Sequence, residues 1–197
     1  MSFLHNFLRN EVMTMLFCYE TDRLVLKVLQ QDSARSVLEF YKNNRMIFEP
    51  LEPAKDDKFY TERYQNKLLS AELKNFLAGR SVRFFVFVKD SPNEIIGTVS
   101  LNSINRGAFH NCQIGYKFDK GKLHKGYAIE SVNKAVQIAI CEMNIHRIEA
   151  YILPNNEPSI NLIKKANFIS EGMAFKYAKL VNGWQDHLRY VYIAPDE

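Results

Sequence analysis

Residues 111 to 153 contain the patterns of a strand, a turn, a helix and a second strand, and this order limits the folds open to the chain. The strand pattern runs from Asn111 to Phe118, and the amphipathic helix extends to Ile140, with apolar residues at helical spacing. The next strand pattern covers 146–153. Two strands joined through a helix can pair in parallel, so the segment predicts one parallel crossover inside a sheet.

The turn before this helix is basic and contains glycine. It spans Leu123 to Ala128, and Lys122, His124 and Lys125 lie in or beside it. The first N–H groups of a helix lack intrahelical partners and carry partial positive charge, so phosphates bind there. Gly126 removes a Cβ where an anion must come close. On spacing alone, an ordinary turn glycine before a core helix is an equal alternative.

The size and composition indicate a globular protein. With 197 residues, of which 47% are hydrophobic and 24% charged, one domain with a full core is expected over 21–197, after an N-terminal extension at 1–20. The apolar spacing from Met1 to Phe17 predicts an extra helix, and Met13 or Met15 are alternative translation starts. No membrane span or signal peptide is recognised.

Cysteines and charge narrow the class further. The three cysteines are far apart and form no CxxC pair, so neither a disulfide framework nor a metal site is expected. A cytoplasmic location is expected instead. The net charge of +4 and the pI near 8.9 come from scattered residues. Direct nucleic-acid binding is therefore not expected, and an anionic small ligand explains the basic turn.

The other patterns complete a mixed α+β protein. Strands are predicted at 23–29, 82–88, 95–101, 168–177 and 184–193, with a hairpin turn at 91–94. Helices are predicted at 33–43, 58–77 and 159–166, the second ending at Gly79. The prolines of 48–53 argue against regular structure there, and its acidic pair, Glu49 and Glu52, suits a substrate-facing loop. Neither a Rossmann glycine fingerprint nor a Walker motif is present.

Short motifs in a fixed order relate the chain to a known family. The chain resembles GNAT-fold N-acetyltransferases of the RimJ/RimL type, the ribosomal-protein N-terminal acetyltransferases, with RimJ the most similar. The motifs span about 23–193 and include Glu49-Pro50, Ile114-Gly-Tyr116, Lys125-Gly-Tyr-Ala128, Asn156-Glu-Pro-Ser159 and Asn182-Gly-Trp184. The resemblance implies the GNAT fold, a mostly antiparallel mixed sheet flanked by helices.

The resemblance also implies acetyl-coenzyme A as co-substrate. The family's pyrophosphate turn falls on Leu123 to Ala128, where Leu123 departs from the usual Gln or Arg. Free backbone groups between two splayed strands, ending near Phe118 and Ile152, would pair with the pantetheine amides. The residues that this implies as cofactor-binding are Tyr116, Lys117, Phe118, Leu123, His124, Lys125, Gly126, Tyr127, Ala128, Asn156 and Ser159.

The implied chemistry is direct attack of an amine on the thioester through a tetrahedral intermediate, which a backbone N–H near Phe118 would stabilise. A chain terminus titrates near 8 and a lysine near 10.4, so about a tenth of α-amines but well under a thousandth of lysines are neutral at pH 7. Ser159 is the candidate proton donor to the thiolate, although it could simply start a helix. Gln113 occupies the usual glutamate position, which leaves Glu49 as the first candidate base and His110 as the second.

The acceptor is open at this point. The candidate substrate-binding residues are Phe48, Glu49, Phe109, His110 and Gln113. His110 could equally be a hydrogen-bonded residue at a strand end. The acceptor is expected to be a protein N-terminus, and the resemblance makes a ribosomal protein the first candidate. The alternatives are a small amine, an aminoacyl compound or an antibiotic, or a regulatory module that binds acyl-coenzyme A without turnover. Either a monomer or a homodimer fits the sequence.

Overall fold

A computed structural model describes residues 15–195 and confirms the α+β fold class. Eight strands form one sheet in the order β1-β2-β3-β4-β5-β6-β8-β7. The strands are β1 Cys18–Glu20, β2 Leu24–Lys27, β3 Val82–Val88, β4 Ser91–Asn105, β5 Asn111–Phe118, β6 Arg147–Ile152, β7 Ile169–Leu180 and β8 Gly183–Ile193. The helices are α1 Ala34–Asn43, α2 Arg45–Phe48, α3 Glu62–Leu77, α4 Tyr127–Cys141 and α5 Glu157–Lys165.

Helices pack on both faces of the sheet. Successive side chains of a strand point to opposite faces, so Phe84 and Val86 join a core with α4 and α5, whereas Phe85 and Phe87 join a second core with α1 to α3. Apolar burial against both faces is therefore the main stabilising contribution, and it explains why 82–88 is almost continuously apolar.

The sheet opens into a fork between β5 and β6. These two strands are parallel, and they pair at Asn111 with Arg147, at Cys112 with Ile148 and at Gln113 with Glu149. No pairing follows between Ile114–Phe118 and 150–152, although β5 stays paired with β4 and β6 with β8. The predicted splay is present, and the crossover through α4 is parallel as expected.

Several element boundaries differ from the sequence predictions. Pro50 is accommodated in a 3-10 turn at Glu49–Leu51, because a proline at the start of a helical turn loses no needed N–H. The hairpin turn is at 89–90 rather than 91–94, since Val88 pairs with Ser91 next to a register shift. Helix α5 begins at Glu157 and not at Ser159, because Asn156 caps it.

The start of the chain also differs from the prediction. Most of the helix predicted for Met1 to Phe17 lies outside the described residues. Strand β1 was not predicted, and it pairs with β2, so the sheet begins within the segment assigned to the extension. From residue 15 to residue 195, no helix is both long and apolar enough to cross a membrane.

Candidate active site

The fork between β5 and β6 holds a cavity of about 150 Å³. Gly115, Tyr116 and Lys117 line one side, and Tyr151 and Ile152 line the other. The remaining lining residues come from the start of α5, from the end of α2 and the segment after it, and from β8. They are Asn156 and Ser159; Phe48, Leu51 and Glu52; and His187, with Ile114, Ala150 and Leu153 completing the wall. A fork of this kind leaves strand edges free to accept an extended amide-containing ligand.

The basic turn ends at the N-terminus of α4, which no side chain caps. Gly126 is the N-cap residue with a φ of +79°, a left-handed conformation that favours glycine. His124, in the same turn, also has a positive φ of 60°. The uncapped first N–H groups of a 15-residue helix are therefore available to an anion, as the sequence predicted for this turn.

Arg23 supports this turn, and the sequence predictions missed it. Its Nη1 donates to the Lys125 carbonyl over 3.0 Å, and its Nε donates to Glu130 Oε2 over 2.8 Å. Its guanidinium also lies 5.0 Å from the centre of the Tyr127 ring. Glu130 is in the first turn of α4 and 107 residues from Arg23, so no local pattern could have indicated the pair.

Burial opposes ionisation of Glu130, but hydrogen bonds from Thr21 and Arg23 outweigh it and hold the pKa below its ordinary 4.5. A depressed folded-state pKa adds stability above the unfolded value, and this is lost as the pH falls through the folded value. Glu130→Gln should therefore destabilise the protein more at about pH 7 than at about pH 3, as measured by urea unfolding. An equal cost at both pH values would contradict the pKa shift.

Asn44 holds the segment that connects β5 to the basic turn. Its side chain is buried, with Nδ2 donating to Asp119 Oδ2 over 2.8 Å and Oδ1 accepting from the Lys120 N–H over 3.2 Å. Asp119 in turn accepts from the Gly121 N–H. The junction of α1 and α2 thus holds the turn that follows β5. Nothing in the local sequence signalled this role for Asn44.

Ser159 and Tyr116 form a hydrogen-bonded pair inside the cleft. Their hydroxyl oxygens are 2.7 Å apart, and the Tyr116 hydroxyl also donates to the Ser159 carbonyl over 3.2 Å. Burial raises the pKa of Tyr116 to about 12, against the Ser159 hydrogen bond, so the phenol stays protonated. Asn156 Oδ1 accepts from the Ser159 N–H over 3.3 Å. The backbone of Ser159 is thus used by the helix cap, whereas its hydroxyl faces the cleft.

The two acidic residues after α2 take different positions. Glu49 accepts from Arg45 Nε over 2.8 Å and from the Tyr60 hydroxyl over 3.1 Å, and it is not among the cleft-lining residues. Glu52 does line the cleft, where it binds Lys117 and Lys55. Of the two acidic residues in the predicted loop, Glu52 therefore lines the cleft and Glu49 does not.

The remaining predicted residues are divided between the cleft and other places. Phe118 is buried in the core beneath the fork rather than exposed in it. Phe109 and His110 precede β5, and the fork opens only after Gln113, so the structure does not bring them to the cleft. His110 Nδ1 contacts the Asn144 carbonyl at 2.8 Å, which is the strand-end alternative. Phe109 is 73% exposed.

Comparisons with known proteins agree with this geometry. Residues 23–169 match the family described as acetyltransferase (GNAT) domain. A probable N-acetyltransferase, YjcK of Bacillus subtilis (strain 168), is 33% identical over 174 residues, which are 88% of this chain and 96% of the relative. The [ribosomal protein uS5]-alanine N-acetyltransferase of Escherichia coli (strain K12) is 30% identical over 177 residues, covering 89% and 90% of the two chains.

A solved structure has the same fold over almost its whole length. The ribosomal-protein-S5-alanine acetyltransferase from Vibrio fischeri superposes with a TM-score of 0.85 at 28% identity and covers 91% of this chain and 97% of its own. RimJ of Mycobacterium smegmatis, solved with a coenzyme A disulfide, shares the fold with a TM-score of 0.82 at 22% identity, over 87% and 82% of the two chains. The chain therefore belongs to the GNAT family and is an acetyl-coenzyme A-dependent N-acetyltransferase.

Proposed function

We propose that the protein acetylates the N-terminal α-amine of a cytoplasmic protein, with a ribosomal protein as the first candidate. The observation that carries the proposal is the fork, which has the uncapped N-terminus of α4 beyond one end and the Ser159 and Tyr116 hydroxyls in its wall. The relative named for alanine acetylation of ribosomal protein uS5 spans 89% of this chain, and this supports the choice of acceptor.

The turn and the fork fit acetyl-coenzyme A, which supplies the activated acetyl thioester. Backbone N–H groups at Gly126 to Ala128, with His124 and Lys125 nearby, would hold the pyrophosphate. Because the main chain would make these contacts, the presence of Leu123 where the family usually has Gln or Arg should weaken coenzyme binding only slightly. The unpaired edges of β5 and β6 would hold the pantetheine amides.

Ser159 would donate the proton that the departing thiolate needs. Its hydroxyl is in the cleft, and the protonated Tyr116 hydroxyl, 2.7 Å away, can replace the proton that Ser159 gives up. Glu49, engaged by Arg45 and Tyr60, is less suited to act as a base than its sequence position suggested. An α-amine needs only a modest base or a water relay, because a useful fraction is already neutral near pH 7.

Ser159→Ala is expected to lower kcat by about a hundredfold, the range of general acid catalysis, with the KM for acetyl-coenzyme A almost unchanged. The variant should fold normally, because the Asn156 cap uses the Ser159 backbone N–H and alanine favours helices. Asn156→Ala is the matched control for the cap, with an expected stability cost of about 1 kcal/mol. Unchanged turnover in Ser159→Ala would remove this hydroxyl from the mechanism.

Thiol release from acetyl-coenzyme A, measured with a panel of acceptors, tests the function itself. Peptides that begin with Ala or Ser should be acetylated, and the same peptides with blocked N-termini should not. Activity on small amines alone would favour the second candidate, which one relative supports: a spermidine N(1)-acetyltransferase is 25% identical over 87% of this chain. Tight coenzyme binding without release for any acceptor would indicate a regulatory module.

A further inference from the structure

Glu149 lies at the closed end of the fork, on the last paired step between β5 and β6. Side chains of β6 alternate, so Ile148, Ala150 and Ile152 are buried in the core with α4 and α5, while Glu149 and its neighbours point to the opposite face. A thioester bound along the fork would end beside this step, because pairing closes the gap there. An amine that attacks it would then arrive close to Glu149.

A tyrosine from the far edge of the sheet completes this region. The pairing of β7 with β8 has a register shift between Ala174 and Ala178, and Lys176 within it has a φ of +47°. Tyr177 consequently reaches across β8 and stacks on Tyr151 of β6, with ring centres 3.9 Å apart and planes 6° from parallel. The same ring also meets His187 of β8 edge-on, with the ring centres 5.2 Å apart.

The carboxylate of Glu149 is held in place but is not saturated. Oε1 accepts from Arg147 Nε over 2.7 Å, and Oε2 accepts from the Tyr151 hydroxyl over 2.7 Å. Arg147 shares its charge with Glu171, to which its other guanidinium nitrogens donate. A carboxylate can accept about four hydrogen bonds, so Glu149 retains acceptor capacity for an ammonium group.

Glu149 is also charged at neutral pH. Burial opposes its ionisation, but the hydrogen bonds from Arg147 and Tyr151 outweigh burial and hold the pKa of the carboxyl below its ordinary value. Its side chain is 13% exposed, so an ion pair formed there would be shielded from water and stronger than one on the surface. The faces of the stacked tyrosines can attract the same cation.

We propose that Glu149 binds the ammonium group of the acceptor and that the stacked Tyr151 and Tyr177 restrict the acceptor to one with a small first side chain. This rests on the proposed transfer to a protein N-terminus and assigns the binding site for the amine of that substrate. Gln113, which cannot carry charge, lies opposite Glu149 on β5 and offers a neutral hydrogen-bonding partner to the same group. The ring pair forms a flat wall, and a bulky first residue would have to displace it.

A binding experiment tests the role of Glu149 without turnover. The protein loaded with coenzyme A is titrated with a peptide that begins with Ala and with the same peptide acetylated at its N-terminus. The wild type should bind the free amine at least about tenfold more tightly, and Glu149→Gln should abolish most of that difference. Glu171→Gln is the matched control, since it removes the other carboxylate on Arg147 and should keep the difference. Equal binding of both peptides by the wild type would overturn the proposal.

Kinetics separate this proposal from the proposed function. Glu149→Gln should raise the KM for the acceptor by about tenfold or more and leave the KM for acetyl-coenzyme A within about twofold. If the wild type acetylates only small amines, the protein-acceptor function fails, but the role of Glu149 stands if the same variant raises the KM for those amines. An unchanged acceptor KM would overturn the role of Glu149 whichever acceptor is used.

A separate variant tests the restriction on the first side chain. Tyr177→Ala removes one ring of the stack beside the amine site and should reduce the preference for Ala over Leu at the first peptide position by about tenfold. Tyr151→Phe keeps both rings and removes only the hydroxyl that donates to Glu149, so the preference should persist in it. A preference that is unchanged in Tyr177→Ala would overturn the assignment of the stack as the limiting wall.

Discussion

Gly126→Val is expected to raise the KM for acetyl-coenzyme A by about ten- to a hundredfold. A left-handed residue with a side chain costs about 1–2 kcal/mol, and β-branched residues tolerate this conformation worst. A Cβ at Gly126 would also lie 3.1 Å from Arg23 Nη2, the side chain that holds the Lys125 carbonyl. The turn should therefore shift, and its N–H groups should no longer converge on the pyrophosphate. Steady-state kinetics and direct titration with coenzyme A both measure this effect.

Gly107→Val is the matched control for backbone strain. Gly107 has a similar φ of +69°, and a Cβ there would meet nothing within 4 Å. The residue precedes β5, at the opposite end of that strand from the basic turn. This variant should lose comparable stability without any change in the KM for acetyl-coenzyme A. An unchanged KM in Gly126→Val, or the same rise in both variants, would contradict the assignment of the turn as the pyrophosphate site.

Gly97→Ala is expected to destabilise the protein by about 3 kcal/mol, at the upper end of ordinary overpacking. An added Cβ would lie 2.3 Å from Cδ1 of the Phe118 ring and 2.8 Å from the Lys117 carbonyl, so either the ring or the strand must move. Gly97 pairs directly with Phe118 at the end of β5, just before the turn. Urea unfolding measures the loss, and weaker binding of acetyl-coenzyme A should accompany it.

A double-mutant cycle shows whether the ring is the cause. Phe118→Leu creates space beside residue 97. In that background, the loss of stability caused by Gly97→Ala should be smaller by at least about 1 kcal/mol. Gly115→Ala is the comparison within the fork. Its Cβ would lie 3.3 Å from the Ser100 hydroxyl and 4.0 Å from Asn102 Nδ2, so this change should cost less than about 1 kcal/mol. Additive effects of the Gly97 and Phe118 changes would mean that the close approach is not what destabilises the variant.

The order of the elements after β1 and the glycine turn before α4 could be predicted from the sequence. Strands 82–88 and 111–118 have the predicted bounds, and α4 follows Gly126, because alternation, amphipathic spacing and a capping glycine are local signals. Asn156 and Ser159, which the family resemblance selected as site residues, both line the cleft, while their roles in the reaction stay a prediction. Exact turns were harder to predict, because Pro50 and Pro92 are tolerated where the N–H group is not needed.

The residues around the fork depended on contacts between distant segments. Arg23 with Glu130 and Asn44 with Asp119 join positions 107 and 75 residues apart, and neither pair leaves a periodic signal in the sequence. Tyr177 stacks on Tyr151 only because a bulge in β7 carries it across β8. Glu52 rather than Glu49 lies in the cleft because Arg45 and Tyr60 hold the Glu49 carboxylate elsewhere through hydrogen bonds.

The α+β class, the parallel crossover and the glycine turn before α4 follow from local patterns in the sequence. Each depends on hydrophobic periodicity or on the conformational freedom of one glycine, and these act over a few neighbouring residues. Long-range packing fixes where β5 and β6 part, which carboxylates face the gap and which aromatic rings lie beside it. Those features result from register, bulges and long-range ion pairs, whose free energies exist only once distant strands have been brought together.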